Sequence, residues 1–423
     1  MNDAVSLVSI DMGYGHLRAA LPLADALDTE LLYVDEPPLA DLEDQTLWGY
    51  TRRYYEGISR LSTVPMFGAP LEYVLDEITA IDPLHPYRDL SAPNGGVHVL
   101  DRAAKFGLGK GMVERLRESG STLLTTFYSP AIIADRAGCD DVFCVVTDSD
   151  INRVWAPLDG ARSNIQYLTP SRRASRRMEA YGVRPENIHF TGFPLPPELL
   201  GGPDLPVARE DLAARIVRLD VNGVFRDQYG DLLSQELGEL PEDQEGATPR
   251  LLFAIGGAGA QVDVVDAFLP AIRDAIVAGE LDLTLVAGVR DEVKARFEEM
   301  LTEHDLSGAV EILHEPEFEP YYRRFNQRLR TTDILWTKPS EMTFYGGLGL
   351  AMLFSPPVGV HEKYNRRWAV EAGAGLVQRE LDVTWDWLTE WLEDGTLAAA
   401  AWSGFMRLPT DGTYKIADAV SGS

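Results

Sequence analysis

Short apolar runs alternate with segments of helical period along the whole chain. Residues 5–10, 31–34, 121–126, 142–146 and 165–168 are short and rich in β-branched or apolar side chains, which predicts strands. Residues 17–27 and 41–61 carry the 3.6-residue period of helices, and a Pro- and Gly-punctuated stretch follows to about residue 96. A second block repeats the plan. It opens with an expected strand at 251–255, a Gly-rich turn at 256–260 and a helix to about 277, and continues with strands at 283–287, 310–313, 334–337 and 352–354. Strands alternating with helices predict an α/β fold with parallel sheets. Between the blocks, residues 201–249 are richer in Pro, Gly and acids. The expected division is therefore an N-terminal domain over 1–200, a linker or insertion over 201–249, and a C-terminal domain over 250–423.

Size agrees with two domains, because 423 residues exceed what a single core usually organises. With 45% apolar and 25% charged residues the composition is that of a globular protein. No apolar run approaches the ~18 residues of a membrane span. The first residues lack a basic segment ahead of their apolar run, so a cytoplasmic location is expected. Cys139 and Cys144 are the only cysteines, too few for a disulfide framework or a structural zinc site. A net charge of −28 repels nucleic acid and anionic lipid unless a local basic patch overrides it. Lysine is confined to Lys105, Lys110, Lys294, Lys338, Lys363 and Lys415, an acidic, lysine-poor pattern that suits a high-salt habitat or a high-GC codon bias.

Three stretches carry candidate chemistry. Asp11-Met12-Gly13-Tyr14-Gly15-His16 follows the first strand and opens a helix, so Gly13 and Gly15 allow a ligand close to backbone N–H groups. A dinucleotide fingerprint is not complete, since Arg18 stands where its third glycine belongs. Gly256-Gly257-Ala258-Gly259-Ala260 makes an equivalent turn in the second block. Ligands of open parallel sheets bind beyond the carboxyl ends of the strands, so the two turns are expected to face an interdomain cleft. The third stretch is Lys338-Pro339-Ser340-Glu341-Met342-Thr343, continuing to Glu362 and Asn365. Lys338 at a strand end suits a diphosphate, and a helix starting at Ser340–Thr343 would add N–H donors.

In order and spacing these segments resemble the glycosyltransferases that include the peptidoglycan UDP-N-acetylglucosamine transferase, the monogalactosyldiacylglycerol synthases and the processive diacylglycerol glucosyltransferases. The likeness runs from the Gly-rich turn ending in His16 through Thr147-Asp148, Trp155 and Gly192-Phe193-Pro194. It continues with the Gly-Gly-x-Gly-Ala turn, Asp333 ahead of Lys338-Pro339, and Pro356-Pro357 before Glu362 and Asn365. It covers roughly residues 4–376 and is weakest over 200–249. One departure stands out: where the family has a ribose-gripping Glu three residues past the Thr of its Lys-Pro motif, this chain has Gly346.

The resemblance implies a GT-B fold of two Rossmann-like domains, the N-terminal one on the acceptor side and the C-terminal one binding the nucleotide sugar. It implies inverting transfer from a UDP-sugar to a hydroxyl acceptor, with no cofactor and no metal. His16 is then the leading base, since imidazole titrates near neutral pH, and Asp148 the alternative. Gly257, Ala258, Gly259 and Lys338 are expected on the diphosphate, and Ser340, Glu341, Met342, Thr343, Glu362 and Asn365 elsewhere on the donor, with Gly13 and Gly15 approaching it. Trp48, Tyr50, Arg52, Arg53 and Tyr54 are expected on the acceptor side, near a lipid-borne acceptor and a peripheral position at the inner membrane face. Arg172, Arg173, Arg176 and Arg177 form a second basic cluster that could touch phospholipid. Asp148-Ser149-Asp150 spells a D-x-D, which binds metal in another glycosyltransferase fold. Two alternatives remain: a UDP-N-acetylglucosamine 2-epimerase, which shares the architecture, and a non-catalytic sugar-nucleotide-binding protein.

Overall fold

The structure is a computed structural model and describes residues 4–49, 80–242, 248–255 and 261–422. It divides into two compact units. The first comprises Met1–Leu195, Val358–Tyr364 and Asp411–Ser423; the second comprises Pro196–Pro357 and Asn365–Thr410.

In the first unit a six-stranded sheet contains β1 (Val5–Ser9), β2 (Leu31–Tyr33), β3 (Thr122–Thr125), β4 (Val142–Val145), β5 (Gln166–Thr169) and β6 (Ile188–Phe190), in the order β2-β1-β3-β4-β5-β6. The second unit holds β7 (Arg250–Ala254), β8 (Asp282–Gly288), β9 (Glu311–His314), β10 (Ile334–Thr337), β11 (Ala351–Phe354) and β12 (Gly375–Val377), in the order β12-β11-β10-β7-β8-β9. Every pairing is parallel. Strands covered on both faces need side chains that tolerate burial throughout, and β4, β10 and β11 are buried at every position. The second sheet has the doubly wound order in which the chain starts at the centre, winds outward, and returns to the other side. In each sheet the winding direction reverses once, between β1 and β3 and between β7 and β10. There the flanking crossovers diverge and leave a crevice beyond the strand ends.

Residues 201–249, expected as a linker or insertion, instead hold the helices Pro206–Leu219 and Val224–Leu237, which belong to the second unit. Leu212, Ile216 and Leu219 pack into its core. Their apolar period is masked in sequence by charged side chains that are also buried. Arg215 donates to the carbonyls of Thr332, Leu348 and Leu329 at 2.7–2.8 Å, and burial lowers its pKa to about 10. Arg218 grips both oxygens of Asp333, which also accepts from the Arg250 N–H at 2.9 Å. Burial raises the Asp333 carboxyl above its ordinary range, with Arg218 pulling against that.

The C-terminal segment, expected within the second domain, returns to the first unit. Ile416 and Val420 of the Gly412–Ser421 helix join Val5, Leu7, Leu23 and Leu124 in one apolar cluster. Gly412 admits this approach, because a Cβ there would lie 2.3 Å from the Phe193 carbonyl oxygen. No helix of the described residues is long and apolar enough to cross a membrane.

Replacing Asp333 by Ala leaves a mostly buried guanidinium without its carboxylate. The expected loss is about 3 kcal/mol of unfolding free energy in urea titration. A change below about 1 kcal/mol would show that this pair is not a constraint on the second unit.

Candidate functional site

Each sheet presents its candidate residues at its own reversal point. In the first unit the chain leaves β1 and turns at Gly13, whose φ of +124° is a conformation L side chains rarely adopt. Tyr14, Gly15 and His16 then form the first turn of the Tyr14–Leu27 helix. Across the reversal, β3 ends at Thr125, and the Thr126 carbonyl lies 2.8 Å from Nδ1 of His16. A carbonyl oxygen only accepts, so Nδ1 carries the proton of the neutral ring and the lone pair sits on Nε2. Thr147 Oγ1, just past β4, is 3.4 Å from the same Nδ1, and the Phe127 ring meets the imidazole edge-on with centroids 4.7 Å apart. Ser9 and Thr126 hydroxyls, 2.8 Å apart, tie the two strand ends together. The ring of His16 is thus oriented from the ends of β3 and β4. Thr126 and Phe127 carried no signal in the sequence, because one acts through its backbone and the other through packing.

Asp148 follows Thr147 and is half-buried. Asp150 is fully buried and takes Arg177 at 2.8 and 3.0 Å and Arg173 at 2.5 Å. The D-x-D spelling therefore supplies a structural ion pair at its second position. Among the described residues no group of three or more His, Cys, Asp or Glu side chains is placed to hold a metal ion.

The basic cluster of the Arg172–Ala180 helix is likewise engaged. Arg177 also donates to the Asp82 carbonyl, Arg176 donates to the Tyr87 hydroxyl, and Arg172 lies over the Phe190 ring. Arg177 is buried, whereas Arg172 and Arg176 remain exposed. Trp48, expected to stack on an acceptor, is 1% exposed and packs in the first unit's core. Tyr50, Arg52, Arg53 and Tyr54 lie outside the described residues.

In the second unit the reversal brings the end of β7 beside the end of β10, with Ala254 paired to Thr337. Gly257, Ala258 and Gly259 lie outside the described residues, while Ile255 leads directly into them. On the β10 side Lys338 is half-buried, and Ser340 precedes a 3₁₀ helix over Glu341–Leu348 where an α-helical start was expected. Ser340, Glu341, Met342 and Thr343 are all buried. The hydroxyls of Thr337, Ser340 and Thr343 are buried and have no hydrogen-bond partner among the described residues. Buried hydroxyls are normally satisfied, so three such groups within seven residues of sequence are a departure from ordinary packing among the described residues. Thr337 was missed in sequence, although a polar residue closing an apolar strand is a readable signal.

Gly346 lies on the other side of this 3₁₀ helix. A Cβ there would meet Leu408 at 3.1 Å, Met352 at 3.3 Å and Ala374 at 3.5 Å, all apolar. A carboxylate at this position would enter the core. Glu362 is buried, and its Oε2 accepts the N–H groups of Val358 at 2.7 Å and Gly359 at 3.4 Å, capping the Val360–Glu371 helix. Asn365, one turn further, is fully buried. Glu362 belongs to the first unit and Asn365 to the second.

Comparison with known proteins identifies the architecture. Over 99% of its length the chain superposes on 99% of the MurG protein of Acinetobacter baumannii, with a TM-score of 0.53 and 13% identity. It also superposes on 95% of Staphylococcus aureus MnaA in a co-structure with UDP, with a TM-score of 0.52, 13% identity and 99% of this chain covered. A Listeria monocytogenes protein described provisionally as a UDP-N-acetylglucosamine 2-epimerase matches over 96% of its length and 99% of this chain, again at 0.52 and 13%. The chain has the GT-B fold. These identities carry the fold alone. Residues 291–420 match a domain of unknown function, DUF6938. No curated protein matches the sequence.

The structural role of Asp150 has a direct check. Asp150→Ala strands the fully buried Arg177 and is expected to cost about 3–5 kcal/mol of stability. Mg²⁺ or Mn²⁺ is expected to leave the melting temperature of the unaltered chain unchanged. A metal-induced rise that disappears in Asp150→Ala would make the D-x-D a metal site instead.

Proposed function

We propose that the chain moves a sugar from a UDP-sugar to a hydroxyl acceptor by a single inverting displacement, with no resident cofactor or metal. The observation that carries this reading is the orientation of His16. Its Nδ1–H is committed to the Thr126 carbonyl, so the ring keeps a lone pair at Nε2 for an acceptor proton. In the proposed step the acceptor O–H gives its proton to that nitrogen while its oxygen bonds to the anomeric carbon. The bond from that carbon to the diphosphate oxygen breaks, and the electron pair leaves with UDP. Asp148 is the alternative base.

The leaving diphosphate needs positive charge and N–H or O–H donors in a chain of net charge −28. The proposed donor site is the end of β10: Lys338 supplies the cation, and the hydroxyls of Thr337, Ser340 and Thr343 supply donors that the described protein does not otherwise use. Gly257, Ala258 and Gly259 are proposed as backbone contacts to the same group. Glu341, directly after Ser340, is the proposed ribose carboxylate, since the Gly346 position faces apolar side chains. Glu362 and Asn365 are proposed to face the sugar, Glu362 through the oxygen that does not cap its helix. Uridine is the nucleotide favoured by the co-structure of the S. aureus protein with UDP. The acceptor is proposed to be a hydroxyl compound, with a lipid-linked one in view.

A second reading is supported by the Listeria protein's description: epimerisation of the UDP-sugar itself. The two differ in what they consume. Transfer releases UDP only when an acceptor is present, whereas an epimerase converts UDP-N-acetylglucosamine alone, which chromatography of the sugar nucleotide distinguishes.

Two variants test the residue roles. Lys338→Ala is expected to weaken UDP binding by about tenfold or more in calorimetry, from the loss of a charge-assisted contact; unchanged affinity would remove Lys338 from the diphosphate. His16→Ala is expected to retain UDP binding and lower kcat on the order of 10²–10⁴-fold. Turnover at the original rate would exclude it as the base.

A further inference from the structure

We propose that three buried hydroxyls, those of Ser9, Thr125 and Thr126, hold one peptide unit in place and through it keep the neutral His16 proton on Nδ1. All three residues are completely buried, at the carboxyl ends of β1 and β3. The peptide unit joins Thr126 to Phe127. Its carbonyl lies 2.8 Å from Nδ1 of His16, and its N–H donates to Oγ1 of Thr125 at 3.2 Å. A trans peptide is planar, with its N–H and C=O directed oppositely. Holding the N–H toward Thr125 therefore directs the carbonyl the other way, to the imidazole. The Thr125 hydroxyl closes the turn by donating to the Phe127 carbonyl at 3.2 Å. The Thr126 side chain, on the α-carbon that begins the same unit, is fixed by the Ser9 hydroxyl at 2.8 Å.

A neutral imidazole left to itself in water carries its proton mainly on Nε2, so the Nδ1–H form that the Thr126 carbonyl requires depends on that acceptor staying in place. Thr147 Oγ1, at 3.4 Å, is too distant to hold the proton alone. If the Thr126–Phe127 peptide rotated, the ring would return to the Nε2–H form and lose its lone pair at that nitrogen. Stability does not account for the hydroxyls. A buried pair replaced on both sides by apolar groups of similar shape costs little, and the strand positions just before them are the buried Leu7, Val8, Leu123 and Leu124. What apolar side chains cannot supply is direction. Ser9, Thr125 and Thr126 are thus positioning residues that act through a backbone carbonyl. The consequence for turnover rests on the transfer reading above, in which Nε2 takes the acceptor proton; the place of the proton on the ring does not.

The test is nitrogen NMR of the full chain with isotope-labelled histidine at roughly pH 8.5, where an ordinary imidazole is neutral. The His16 signals are identified by their absence in His16→Gln. In the unaltered chain Nδ1 is expected at a protonated shift and Nε2 at an unprotonated one. Thr125→Val keeps the side-chain shape but leaves the Phe127 N–H without its acceptor, and is expected to raise the ratio of Nε2–H to Nδ1–H rings about five- to tenfold, the worth of one ordinary hydrogen bond. The double variant Ser9→Ala, Thr126→Val removes both hydroxyls of the other contact and is expected to shift the ratio in the same direction. Thr125→Ser restores the hydroxyl and is expected to restore the native ratio. A merely structural role would lower the melting temperature and leave the proton where it is. The proposal is overturned if the unaltered chain carries the His16 proton on Nε2, or if either hydroxyl-free variant keeps the native ratio. With a UDP-sugar as substrate, kcat is expected to fall in step with the ratio while KM holds. A shifted ratio with unchanged kcat would uphold the positioning and remove His16 as the base.

Discussion

Parallel pairing is the constraint from which the rest of this structure follows. A strand that runs parallel to its neighbour must be reached by a crossover, so every loop leaving a strand's carboxyl end emerges on the same edge of the sheet. Each sheet then reverses its winding once, at β1/β3 and at β7/β10. His16 and the Thr126 carbonyl meet at the first reversal, and Lys338 with its neighbouring hydroxyls stands at the second. Residues remote in sequence become chemical neighbours because the topology leaves them nowhere else to go. The opposite edge of the second sheet carries the Arg218–Asp333 pair and the Arg215 clamp, so the contacts that hold the unit together lie away from the proposed donor site.

Arginine use illustrates how an acidic chain handles its few cations. Arg153 donates to the carbonyls of Ser91, Ala156 and Pro157, Arg215 to three more, and Arg177 to Asp150 and the Asp82 carbonyl. A planar guanidinium can satisfy several acceptors at once, which suits it to buried loop ends where lysine could serve only as a point charge. Buried arginines therefore pin loops instead of meeting ligands, and a basic cluster in sequence is not by itself a surface. On the Arg172–Ala180 helix, Arg177 is spent on the buried Asp150 while Arg172 and Arg176 stay exposed.

The α/β alternation was legible because buried parallel strands are short apolar runs, and β10 falls at the expected 334–337. β6 and β12 were not marked, since each is an edge strand of only three residues, too short for an apolar run to stand out. The helices of 201–249 were hidden by Asp211, Arg215 and Asp220, buried charges that break an apolar stripe. The position of His16 after the Gly-rich turn of β1 was legible, but the carbonyl that orients its ring was not, because a backbone carbonyl leaves no trace in a residue's identity. Asp150 and Trp48 show the reverse failure: residue types suited to chemistry were used for an ion pair and a core. Gly346 is the clearest case. Its spacing marked a missing carboxylate, yet its Cβ direction is toward Leu408 and Met352.

The central claim is that the carboxyl end of β10 receives the diphosphate of a UDP-sugar. Hydrogen–deuterium exchange with and without UDP tests it most directly. Slowed exchange confined to peptides spanning residues 336–348 and the adjoining end of β7, with the Pro206–Leu219 helix on the opposite edge unchanged, is the predicted result. Unaltered exchange over 336–348 at saturating UDP, or protection appearing only elsewhere, would contradict it.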